Sequence, residues 1–131
     1  MIDMVEPYLA IRVVMMPRDT NPLGSIFGGV ILSYIDTAGA IGARREVVLA
    51  GGELPYVVTV AMNRVEFKKP VLVGDVVSFW TRLVKMGRSS ITMNVTVEVE
   101  RGAETLQVTD AEVVYVGIDP RDRSSKLLLP K

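Results

Sequence analysis

The sequence predicts an α+β domain in which one long helix lies across a face of an antiparallel sheet. Three observations carry this. A helix-compatible stretch runs from Gly28-Gly29 through Val30 to about Leu49, longer than any ordinary strand and free of charge before Arg44 except at Asp36. One strand-like segment precedes it, and four follow, joined mostly by short turns. A lone helix beside such a meander buries itself only by lying on the sheet.

The first strand is expected over Tyr8–Met16, rich in apolar and β-branched residues, with Pro17 ending it. A loop dense in turn residues follows, Arg18-Asp19-Thr20-Asn21-Pro22-Leu23-Gly24. After the helix, Gly51-Gly52 and Pro55 act as the stop. Tyr56–Phe67 reads as the second strand, closed by Lys68-Lys69-Pro70, and Asp75–Val84 as the third. Lys85-Met86-Gly87-Arg88 is a hairpin connection. From Ser90 to Arg101, Ile91, Met93, Val95, Val97 and Val99 alternate with Thr92, Asn94, Thr96, Glu98 and Glu100, the pattern of a half-buried antiparallel strand. Gly102-Ala103 turns the chain into a last strand over Thr105–Val116. The 131 residues form one domain, with a core at about 8–118 and a polar tail over 119–131 that finishes on Leu127, Leu128 and Leu129.

Composition narrows the chemistry. Net charge is zero, with 15 basic and 15 acidic residues, which argues against a broad basic nucleic-acid surface. With no His and no Cys, a Ser-His-Asp triad, a Cys-His pair and an ordinary zinc site are excluded within one chain. Acid–base chemistry therefore falls to Asp, Glu, Lys or Tyr. Internal glycines, a central Asp and flanking strands make the apolar stretch a poor membrane span, so no membrane partner is expected. The chain opens with Asp3 and Glu6 rather than a basic stretch before an apolar run, so no secretory leader is expected and a cytoplasmic address fits best. High apolar content at zero net charge favours self-association.

Between Asp19 and Arg44 the only charged residue is Asp36. It sits seven residues after Gly29, about two helical turns, so the two share a face about 10 Å apart along the axis. Ser33 and Thr37 extend it into a narrow polar stripe. One reading makes Asp36 a structural carboxylate that bonds a backbone amide or pairs with Arg12, Arg44 or Arg64, since a buried charge needs a partner. The other makes it a general base in a partly desolvated cleft. Gly28-Gly29 poses the same choice, between close packing and a helix N-terminus whose free amides hold an oxyanion.

Arg18 through Gly29, then Ile35-Asp36 and Ala38-Gly39-Ala40, resemble the hotdog-fold acyl-CoA thioesterases of the acyl-CoA hydrolase branch. Phe67-Lys68-Lys69-Pro70-Val71, Val73-Gly74-Asp75 and Gly87-Arg88-Ser89-Ser90 continue the likeness in the same order, over about residues 9 to 120. The resemblance implies a hotdog fold, a five-stranded antiparallel sheet wrapped around one long central helix. It implies pairing into homodimers that assemble as trimers of dimers, and an active site at the dimer interface. Asp36 of one subunit would activate water and face Asn21 of the other. The amides of Gly28 and Gly29 would polarise the thioester carbonyl, and Gly87, Arg88, Ser89 and Ser90 would contact the CoA phosphates. No cofactor and no metal is implied.

The residues suit that chemistry. A thioester has a good leaving group, so a carboxylate-activated water and an oxyanion hole suffice. The forked donors of Arg88 suit phosphate, although the same loop also reads as an ordinary polar hairpin. Lys68 and Lys69 are a further phosphate contact or a solvated strand end. Thr59 is a candidate polar contact in the cleft, with an ordinary β-branched strand residue the preferred reading. Phe27 stands where many relatives carry His. Asp19 is a rival base, disfavoured because capping explains an Asp in a turn. The alternative from another functional class is a non-catalytic acyl-CoA binding or sensing module.

Overall fold

A computed structural model describes residues 6–129. Asp3 and the last two residues of the expected tail lie outside the described residues. In chain order the elements are β1 (Tyr8–Val14), a single 3-10 turn (Pro17–Asp19), α1 (Gly28–Leu49), β2 (Tyr56–Phe67), β3 (Val76–Met86), β4 (Ser90–Arg101) and β5 (Glu104–Ile118). The strands form one five-stranded sheet in the order β1-β3-β4-β5-β2, with every pair antiparallel. Thus β1 and β2 occupy opposite edges, and α1 links them. Its 22 residues span about 33 Å, enough to cross the sheet beneath it.

The boundaries differ from expectation mainly at β1, β3 and β5. β1 stops at Val14, because Met15 turns its backbone to the loop before β3: its N–H donates to Asp75 O (3.0 Å) and its carbonyl accepts from Gly74 N–H (2.9 Å). Asp75 precedes β3 instead of starting it, since its carboxylate is engaged by the turn. β5 runs further at both ends, pairing Glu104 with Arg101 and Ile118 with Tyr56.

The inward residues of β4 (Ile91, Met93, Val95, Val97, Val99) are all fully buried, as their alternation predicted. They pack with Val77, Phe79, Val113 and Tyr115 against Ile31, Ile35, Ala38, Ala43 and Val47 of the helix. Each Val, Ile, Met or Phe side chain among them contributes about 1.5–3 kcal/mol on leaving water. Two helix glycines set how closely the layers approach. A Cβ at Gly39 would lie 2.1 Å from Tyr115 Oη, and one at Gly42 would lie 2.4 Å from Thr81 Oγ1. Within one chain the helix buries a single stripe. Ile41, Val48 and Leu49 are exposed, so the apolar surface on its other side lacks a cover.

Edge strand β2 carries two bulges, between Thr59 and Ala61 and between Asn63 and Glu66. The second holds Arg64 at φ +51, a left-handed conformation that costs a non-glycine residue about 1–2 kcal/mol. The C-terminal segment is polar and exposed over most of its length, and its apolar finish is anchored. Residues 119–129 fold back across the end of the sheet, and Leu128 joins the core at 4% exposure. Among the described residues no helix is long and apolar enough to cross a membrane.

Candidate active site

α1 begins at Gly28 after Phe27, whose side chain has no oxygen to cap the first turn. The opening amides of a helix have no partner inside it, so those of Gly28 and Gly29 stand at its positive end without a capping side chain. Aromatic rings close in around them. A Cβ at Gly29 would come within 2.5 Å of the Phe27 ring, and one at Gly28 within 3.6 Å of the Phe67 ring. Both rings are more than half exposed. Ile26 fixes the approach to the helix, donating its N–H to Val71 O at 2.7 Å.

Asp36 lies two turns on and is half-buried. Its Oδ1 accepts a hydrogen bond of 2.6 Å from Thr59 Oγ1. Thr59 pairs with Tyr115 across β2 and β5, immediately before the first bulge, so its side chain faces the helix. The strand reading of Thr59 preferred from sequence is thus incomplete, because the hydroxyl is aimed at the carboxylate. The arginines considered as structural partners are engaged elsewhere. Arg12 pairs with Glu100 and Arg64 with Glu112, while Arg44 Nε donates to Pro55 O at 2.9 Å. Among the described residues Asp36 has no ion pair. The expected polar stripe is closed on itself, since Ser33 Oγ donates to Gly29 O (2.9 Å) and Thr37 Oγ1 to Ser33 O (3.1 Å).

Tyr115 was not singled out from sequence. Its hydroxyl donates to the backbone carbonyl of Asp36 at 2.7 Å, through the gap left by Gly39. Burial first, and then the negative charge of Asp36, push its phenol well above the ordinary value. The signal was present: a Tyr on the buried face of an alternating strand needs a partner for its hydroxyl, and a helix glycine three residues after Asp36 leaves room for one.

The other candidates are distributed. Asn21 is held by its own loop: Oδ1 accepts from the N–H of Leu23 (2.9 Å) and Ser25 (3.2 Å), and Nδ2 donates to Ser25 Oγ (2.9 Å). These bonds organise the approach to the helix rather than contacting Asp36. Asp19 caps its own turn, with Oδ2 accepting from Met16 N–H at 3.0 Å. Gly87, Arg88, Ser89 and Ser90 form the tight β3–β4 turn, closed by Gly87 N–H to Ser90 O at 2.7 Å, with the Arg88 side chain exposed. Lys68 is exposed beyond β2, its N–H bonded to Val108 O at 2.8 Å.

A five-stranded antiparallel sheet around one helix, carrying a helix N-terminus and a hydrogen-bonded carboxylate on the same element, suits acyl transfer to water. The sequence agrees: the thioesterase superfamily model matches residues 23–106, and the chain belongs to that superfamily. It is 41% identical over 117 residues to acyl-CoA thioester hydrolase YciA of Salmonella typhimurium, covering 86% of this chain and 84% of that protein. Against YciA of Escherichia coli K12 it is 38% identical over 124 residues, covering 91% and 89%. Among solved structures, a hexameric thioesterase of Yersinia pestis superposes with a TM-score of 0.85 at 37% identity, covering 98% of this chain and 100% of that one. A hexameric hotdog-fold thioesterase of Campylobacter jejuni superposes at 0.81 with 40% identity, covering 91% and 88%. The fold is therefore the hotdog fold.

Proposed function

We propose that this chain hydrolyses acyl-CoA to a free carboxylic acid and CoA, with Asp36 as the base. The observation that carries the reading is a carboxylate without an ion pair among the described residues, held by one neutral donor, Thr59, at 2.6 Å. Such a group keeps its lone pairs for a water, whereas a carboxylate bound to a guanidinium does not. Asp36 takes a proton from that water as its oxygen attacks the thioester carbon. The carbonyl oxygen becomes an oxyanion, and the amides of Gly28 and Gly29 at a helix N-terminus suit it. Collapse of the intermediate breaks the C–S bond, and the CoA thiolate recovers the proton from Asp36. The Gly87–Ser90 turn, with the guanidinium of Arg88, receives the CoA phosphates, and Lys68 is a further cation for them.

The site is completed by a second copy of the chain. Asp36 and Asn21 do not bond within one chain, where Asn21 is held by its own loop. The uncovered apolar residues include Val60 and Phe67 on edge strand β2 and Ile41 on the helix beside it. An unpaired strand edge next to such residues is a natural pairing surface. Pairing there sets Asn21 of one subunit opposite Asp36 of the other; the hexameric relatives support further assembly, which we read as a trimer of dimers.

A thiol-release assay over acyl-CoAs of graded chain length, with light scattering on the same samples, tests both parts. Asp36→Asn is expected to bind acyl-CoA and lose turnover. An Asp36→Asn enzyme as active as wild type removes Asp36 from the mechanism, and wild type that binds but never releases thiol makes the chain a binding module. A fully active monomer rules out the shared site.

A further inference from the structure

Residues 119–129 lie beyond the segment matched by the superfamily model, yet they are built into the structure. Leu128 is 4% exposed, and two glycines on separate elements shape its seat. A Cβ at Gly117 would lie 2.8 Å from Leu128 Cδ2, and one at Gly52 would lie 2.5 Å from the Leu128 carbonyl oxygen. The end of β5 and the loop after α1 therefore approach this strap more closely than a side chain allows. Backbone bonds then tie it down. Lys126 N–H donates to Gly117 O (2.8 Å), Leu128 N–H to Arg88 O (3.0 Å) and Gly117 N–H to Ser89 O (2.8 Å). Two of these bonds end on the Gly87–Ser90 turn.

We propose that Leu128 is a positioning residue for the substrate. Seated between Gly52 and Gly117, it holds the Arg88 carbonyl and so aims the Gly87–Ser90 turn at the CoA phosphates. The turn's own closing bond, Gly87 to Ser90, does not engage the Arg88 and Ser89 carbonyls, which instead accept from Leu128 and Gly117. Holding those carbonyls from outside the turn orders it before the substrate arrives, which lowers the ordering cost of binding. The inference rests on the reading of this turn as the CoA contact.

The test uses the full chain and two substrates: an acyl-CoA and the same acyl group on N-acetylcysteamine, which keeps the thioester and lacks the nucleotide. Leu128→Ala is expected to raise KM for acyl-CoA about tenfold, the effect of about 1.4 kcal/mol. Its kcat stays within about twofold, and KM for the short thioester is unchanged. Leu128→Met, which refills the seat, restores the acyl-CoA KM. Equal losses on both substrates, or an unchanged acyl-CoA KM, overturn the proposal. If circular dichroism shows Leu128→Ala unfolded, Lys126→Pro removes one strap donor from an exposed position and must give the same split between substrates, equal losses again overturning it. Arg88→Ala separates the two readings. If it leaves the acyl-CoA KM unchanged, the turn is not the CoA contact and the strap proposal falls with it. If Arg88→Ala raises that KM and Leu128→Ala does not, the strap proposal alone fails.

Discussion

Two aspartates of this chain, Asp75 and Asp36, sit in opposite surroundings. Asp75 is 6% exposed and fully engaged. Arg101 donates to both its oxygens, Nε to Oδ1 at 3.0 Å and Nη2 to Oδ2 at 2.7 Å, and Leu72 N–H adds a bond of 2.8 Å. Burial pushes its carboxyl up, but the hydrogen bonds from Arg101 and Leu72 and the charge of Arg101 together outweigh burial and hold it below the ordinary carboxylate value. Asp36 is half-buried and, among the described residues, has one neutral donor. The first carboxylate is locked as an anion to brace the Pro70–Gly74 loop, against which the helix start is hydrogen-bonded. The second has lone pairs left over. Partner count, rather than burial alone, separates a structural acid from a candidate base.

The sharpest way to break this contrast is to neutralise each group. Asp36→Asn is expected to lower kcat by about 10²–10⁴-fold with the unfolding midpoint nearly unchanged. Thiol-release kinetics beside thermal melts check it, and a large loss of stability would move Asp36 into the structural class. Arg101→Met should do the reverse. It leaves Asp75 buried without its cation and lowers stability by about 3 kcal/mol in urea titrations, with any loss of kcat following from the helix start. Thr59→Val should lower kcat about tenfold, from loss of a charge-assisted hydrogen bond of about 1.5 kcal/mol, while Thr59→Ser retains activity. Equal rates for Val and Thr would mean that the hydroxyl does not hold the base.

The smallest effect is a pH dependence. The folded Asp75 carboxyl lies below its unfolded value, so its contribution to stability is complete above about pH 4 and is lost as pH falls through the folded value. The stability gap between wild type and Arg101→Met should therefore narrow below about pH 4. A gap that stays constant through acid would show that the Asp75–Arg101 pair is not its source.

Much of this was legible in the residues. Strand β4 was readable because its alternation is strict and one face is wholly buried. β2 was readable because Pro55 and Lys68-Lys69-Pro70 punctuate it. The polar tail and its apolar finish were readable from composition, but no local pattern shows that Leu128 has a seat between two glycines that lie far apart in the chain. Thr59 was undervalued for a similar reason. A Thr in a strand is ordinary, and only the bulge and the crossing helix aim its hydroxyl at Asp36.

The sequence by itself determined the element order, the single helix with Asp36 as its sole charge before Arg44 and two turns below a glycine pair, and the absence of His and Cys chemistry. Those follow from periodicity and composition, which are properties of neighbouring residues. Tertiary structure decided the strand order, the partners that lock Asp75 and leave Asp36 open, the Tyr115 hydroxyl at the Asp36 carbonyl, and the strap beneath the Arg88 turn. Those are contacts between residues tens of positions apart, and they form only when the helix crosses from one edge of the sheet to the other.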